Sequence, residues 1–116
     1  RLLYQARDKV VELAQDYQPP EKPEAIRLPG PSGKAAMDLA VKDMHKAGTA
    51  TDYDVVVADA LACILSGGDK ADYPAQPLSE DDLLKLEREQ FMQLVKNDGT
   101  MARIEYMLEN NKPLRN

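Results

Sequence analysis

Prolines divide this chain. Of the eight, five lie between Gln18 and Gly33, accompanied by two glycines. Proline lacks an amide donor and clashes with the preceding helical turn, so no helix runs through that stretch. Residues 18–33 therefore read as a connector, extended around Ala25-Ile26-Arg27-Leu28, and either a hinge or a short ordered crossing packed on helices. Before it, Leu3, Ala6, Val10, Leu13, Ala14 and Tyr17 recur at spacings of three and four. That is the stripe of an amphipathic helix over Leu2 to Tyr17, with Arg7, Asp8, Glu12 and Gln15 left for solvent.

Beyond the connector, Ser32 is placed to cap a second helix reaching about Lys46, with Met37, Ala40, Val41 and Met44 on one face. Gly48 ends it by admitting the left-handed conformation. Thr51 with Asp54 three residues on is a capping box, Asp standing in for Glu. The run from Val55 to Leu65 is apolar except at Asp59, the pattern of a helix in the middle of a bundle. Its three valines favour strand, but the alanine-rich continuation and the length favour helix. Gly67-Gly68 closes it, and residues 69–78, with Pro74 and Pro77, read as a loop. Ser79 and Asp82 repeat the capping pattern at the head of a fourth helix to about Lys96, burying Leu83, Leu84, Phe91, Leu94 and Val95. Asn97-Asp98-Gly99-Thr100 reads as a turn, and a fifth helix, ended by Pro113, turns Met101, Ile104 and Leu108 inward. The fold class is all-α: about five helices in an irregular bundle, one domain over residues 1–116 with a proline-rich connector at about 18–33.

Composition narrows the function classes. A net charge of −5 argues against a nucleic-acid binder, which gathers Lys and Arg on one face. A single cysteine excludes an internal disulfide framework and a thiolate-rich zinc site. The chain carries no Trp and no apolar run near the roughly 20 residues of a membrane span. It begins at Arg1 rather than Met, as a piece of a longer protein would. Such a composition suits a soluble, cytoplasmic segment.

Candidate chemical residues are few. Gly30-Pro31-Ser32-Gly33-Lys34 has only two residues between its first glycine and the Gly-Lys pair, and Ala35 follows the lysine, so it reads as helix-start chemistry rather than a phosphate loop. His45 has only Asp43, Asp52 and Asp54 for company and reads as a helix-end residue. Cys63, on the apolar helix with no neighbouring His in sequence, reads as a small hydrophobe. Asp59 is either a carboxylate paired with an Arg of another helix, a group pointing out to solvent, or a catalytic acid. Glu80-Asp81-Asp82 lacks the spaced oxygens and glycine turn of a calcium loop. The five methionines read as helix-face packing, and Arg88 and Arg103 as partners for helix glutamates.

The chain's last third is distinctive: Leu78-Ser79-Glu80 through Leu86-Glu87-Arg88-Glu89-Gln90-Phe91, then Ala102-Arg103-Ile104-Glu105-Tyr106-Met107-Leu108, then Lys112-Pro113-Leu114-Arg115-Asn116. It resembles the carboxyl terminus of bacterial long-type 3-hydroxyacyl-CoA dehydrogenases, which join a dehydrogenase portion to a downstream enoyl-CoA hydratase-like, or crotonase, portion. Those chains close on a pattern like LEREAF … ARI-x-x-ML-x-x-GKPLRN. Upstream, Ala58-Asp59-Ala60-Leu61-Ala62 with Leu65-Ser66-Gly67-Gly68-Asp69, and Gly33-Lys34-Ala35-Ala36, also look like the family, so the resemblance begins near Leu3-Tyr4. Asn111 departs from it, standing where the family has Gly, and Asn110-Asn111 occupy the place of a Lys-Arg pair in simple hydratases.

The resemblance implies a piece of a larger fatty-acid β-oxidation enzyme. The NAD-binding glycine loop, the dehydrogenase His and Glu and the crotonase oxyanion hole would all precede Arg1, leaving this segment without cofactor, metal or catalytic residue of its own. Its implied role is packing against upstream domains, contact with other subunits of a homo-oligomer, or cover for an acyl-CoA site. Met107 and Lys112 would then lie near CoA, with Lys112 as the substrate-binding candidate through a phosphate. Two other readings stand beside it: a free-standing helical module that binds a partner helix, and a small enzyme built on Asp59.

Overall fold

A computed structural model describes residues 1–68 and 77–116. The described residues form α1 (Leu2–Ala14), α2 (Gly30–Lys46), α3 (Asp52–Ser66), α4 (Glu80–Val95) and α5 (Asp98–Asn110). The chain is all-α. Of the loop expected at 69–78, residues 69–76 fall outside the described residues.

Local chemistry sets most helix boundaries. Thr51 accepts the Asp54 amide while Asp54 accepts the Thr51 amide, the full capping box at the head of α3. Ser79 and Asp82 do the same for α4, where Glu80, Asp81 and Asp82 also favour the positive end of the helix dipole. Gly67, at φ 94°, ends α3 in the left-handed region. Three boundaries differ from the sequence expectation, the first being the end of α1, which falls at Ala14 rather than Tyr17. Ser32 does not cap α2: the helix starts at Gly30, with Pro31 in its first turn, where a missing amide leaves no donor to satisfy. And Asn97–Thr100 is not a free turn: the Asn97 side chain accepts the Gly99 amide and caps α5.

The elements pack in succession, α2 on α3, α3 on α4 and α4 on α5. A tight turn joins α2 to α3, the Met44 carbonyl accepting the amides of Thr49 and Ala50 and the Thr49 hydroxyl. The connector is an ordered crossing at its far end: Ile26 pairs with Leu78 in an isolated antiparallel bridge, and Pro23 accepts the Glu80 amide. The buried apolar residues are Ala50, Tyr53, Ala60, Ala62, Leu78 and Leu86, with Ser66 buried beside them. Three alanines in that set mean close helix approach and a thin core. The radius of gyration is 20.0 Å, against about 13 Å for a compact chain of this length.

That thin core overturns several inward assignments. Leu84 and Phe91 of α4 and Met101, Ile104 and Leu108 of α5 are exposed, Leu108 at 81%. Four of the five methionines, at 44, 92, 101 and 107, are exposed as well. The helical period locates one apolar face per helix, but successive pairwise packing covers only part of each. The extreme case is α1: the stripe forms from Leu3 to Ala14, with Tyr17 beyond the helix, yet every residue from 1 to 25 is exposed, Leu3 at 84%.

Candidate functional site

Two polar clusters tie the helices together. In the first, the Lys34 ammonium of α2 donates to Asp38 one turn on (2.8 Å) and to Asp59 of α3 (2.7 Å). Asp59 is therefore the paired, solvent-facing carboxylate of the sequence reading, but its partner is a lysine, not an arginine. The hydrogen bond Lys34 donates to Asp38, then that to Asp59, raises its pKa above the ordinary value, against a smaller desolvation effect. A lysine so held stays an ammonium, the opposite of what an amine nucleophile or base needs. Beside it, Asp38, Val41, Lys42, Val55, Val56 and Asp59 line an open groove of about 310 Å³ between α2 and α3.

The same contacts dispose of the glycine-rich stretch at 30–34. It forms the first turn of α2, a Cβ on Gly33 would overlap the Pro29 ring, and Lys34 is committed to two carboxylates. These residues do not fit a dinucleotide, whose pyrophosphate needs a strand-to-helix glycine turn.

The second cluster joins the head of α3 to α5 and the closing residues. Tyr53, 7% exposed, bonds through its hydroxyl to Thr100 (2.5 Å), and its ring lies under the Arg103 guanidinium at 5.1 Å. Arg103 donates to Asp54 (2.8 Å) and to the side-chain oxygen of Asn116 (2.7 Å). Asn116 also donates to the Gly99 carbonyl and accepts the Tyr53 amide on its main-chain oxygen. The Thr51 amide first, and Arg103 next, hold Asp54 at a pKa of about 2. A carboxylate kept ionised is no general acid, so this cluster is a clasp.

Arg103 thus pairs with an aspartate of α3 rather than a helix glutamate. The sequence reading missed Tyr53, Gly99, Thr100 and Asn116; the signal that could have found them was Arg103 and Asn116 sharing one closing motif. His45, at the end of α2, meets Asp52 at the head of α3 at 2.6 Å. Cys63 is half-buried on α3, near Gly68. Met107 and Lys112 are both exposed, Lys112 just past the Asn111 cap of α5. Among the described residues, no three His, Cys, Asp or Glu side chains converge as a metal site would require.

No family model matches the chain, and no solved structure matches it. It is 35% identical over 116 residues to a protein of Bacillus subtilis (strain 168) named "Probable 3-hydroxyacyl-CoA dehydrogenase". The alignment covers 99% of this chain and 14% of that protein. The chain therefore spans about one-seventh of the length of the relative it matches.

Proposed function

We propose that the chain is the helical carboxyl-terminal region of a bacterial long-type 3-hydroxyacyl-CoA dehydrogenase acting in fatty-acid β-oxidation, with a hydratase-like portion in the same polypeptide. Its role is structural: it packs on upstream domains, contacts other subunits or covers an acyl-CoA site, and contributes no catalytic residue. The observation that carries this reading is the 35% identity running through 99% of the chain. The chemistry agrees, since Lys34 and Asp54 are each locked in the charged form by neighbours and serve as ties between helices.

Calorimetric titration of the chain with an acyl-CoA, alongside NADH, tests it. A purely structural segment gives heat with neither. Saturable acyl-CoA binding weakened by Lys112→Ala assigns part of the ligand site to this region, through a charge-assisted bond to phosphate. Turnover of a hydroxyacyl-CoA by the chain alone would overturn the proposal.

A further inference from the structure

We propose that residues 112–116 form a taut strap, latched at one point by the carboxamide of Asn116, which opens and closes on the joint between α3 and α5 as a unit of its own. The proposal stands on geometry alone, whichever enzyme the chain is part of. Lys112, Pro113 and Arg115 are exposed and Leu114 is half-buried. Among the described residues, no hydrogen bond or ion pair holds residues 112–115. The polar attachment of the segment is made by Asn116, which bonds to Tyr53 of α3 and to Gly99 and Arg103 of α5.

Both ends of the carboxamide are read. Arg103 Nε donates to its oxygen at 2.7 Å, and its nitrogen donates to the Gly99 carbonyl at 3.1 Å. The Tyr53 amide donates to the main-chain oxygen at 3.1 Å. An acceptor and a donor on one planar group belong to asparagine and, one methylene further out, to glutamine. Aspartate keeps the acceptor for Arg103 but sets a second acceptor against the Gly99 carbonyl. It also adds a carboxylate to a guanidinium already paired with Asp54. The latch is therefore specific for an amide, although its floor holds an arginine.

Length makes the strap taut. The strap starts at the far end of α5 and latches beside the helix's first turn. From Gly99 to Asn111 the helix axis rises about 18 Å. Five residues fully extended, from Asn111 to Asn116, reach about 17 Å, and the Asn116 side chain closes the remainder. Pro113 fixes its own φ and pushes Lys112 toward extended backbone, so the return path is straight before it is latched. Four residues reach about 14 Å, which leaves the carboxamide short of its socket. The number of residues and the identity of Asn116 carry the contact; the side chains of Lys112 and Arg115 do not.

NMR relaxation of the isotope-labelled chain tests the proposal. The expected result is order parameters of about 0.85 at the amides of Lys112, Leu114 and Arg115, as in a rigid backbone, with the Arg103 Nε proton protected from water. Asn116→Asp and Asn116→Ala should each drop those order parameters below about 0.6 and speed exchange of the Arg103 proton about tenfold. Deleting Arg115 should do the same, and adding Asn116→Ala to the deletion should change nothing further. Lys112→Ala and Arg115→Ala should leave the strap seated. In every variant the amide shifts of α2, and of α3 beyond its first turn, should stay in place. A strap already below about 0.6 in the parent chain, an Asn116→Asp strap that stays ordered, or a deletion that leaves the carboxamide latched would each overturn the proposal. Shifts lost throughout α2 and α3 would overturn it as well, because the strap would then be part of the bundle and not a unit upon it.

Discussion

The Arg103 guanidinium reaches back across 49 positions to donate to Asp54 at 2.8 Å, while its plane covers the Tyr53 ring. One side chain thereby joins α5 to the first turn of α3 and, through Asn116, to the closing residues. Removing it takes away a charge-assisted bond, a cation–π contact and the partner of Asn116. Arg103→Ala is expected to cost about 1–3 kcal/mol in urea unfolding. Arg103→Lys should recover only part of that, because an ammonium cannot span Asp54 and Asn116 as a fork does.

Acid should weaken the same clasp in a defined window. The folded pKa of Asp54, about 2, lies below its ordinary 3.8, so its contribution is present above about pH 4 and is lost as pH falls toward 2. Urea midpoints measured across that range should fall more steeply for the parent chain than for Asp54→Asn. Arg103→Ala should reduce the slope without removing it, because the Thr51 amide is the larger cause.

Gly99 sits against the face of Tyr53, and a Cβ there would overlap three ring atoms. Gly99→Ala, ordinarily favourable inside a helix, is therefore expected to destabilise by about 1–2 kcal/mol. Thermal melts of the single variants and of Gly99→Ala/Tyr53→Ala should show strong coupling, since removing the ring removes the overlap.

Asn111 ends α5 at φ 53°, ψ 35°, the left-handed region. The closing pattern of the resembling dehydrogenases has glycine at this position, and Asn is among the few other residues that enter that region at modest cost. Asn111→Gly should stabilise by a few tenths of a kcal/mol and Asn111→Ala should destabilise by about 1 kcal/mol, read from paired denaturant curves.

Lys34 touches two carboxylates that are not equally sheltered. The Asp38 side chain is 25% exposed and that of Asp59 is 63% exposed. Solvent screens the second pair, so Asp59→Asn should cost under about 0.5 kcal/mol and Asp38→Asn about 1 kcal/mol. Double-mutant cycles with Lys34→Met measure both couplings.

The helix starts at Thr51 and Ser79 were legible because a capping box is four residues of chemistry, complete in the local sequence. The fold class followed from helical periodicity between proline breaks. Asn97 was harder, since an Asx turn and an N-cap use the same side-chain-to-backbone bond and differ only in whether a helix continues beyond it. Which apolar side chains are covered was not legible: Leu108 and Phe91 obey the helical period as well as Leu86 does, and only the neighbouring helix decides. The clasp was hidden for the same reason, with Tyr53 and Thr100 47 positions apart. Asp59 was recognised as needing a partner, but nothing local named Lys34.

The complete exposure of α1 has a kinetic meaning. A helix of 13 residues with no buried side chain depends on its own backbone bonds, and isolated helices under about 12–15 residues are marginal in water. Its amides should exchange with solvent deuterium orders of magnitude faster than those of α3, flanked by neighbours on two sides. The ordering of α1 and its capture by another surface then become one thermodynamic event, and affinity at that surface is set as much by the helix–coil balance of thirteen residues as by the contacts made.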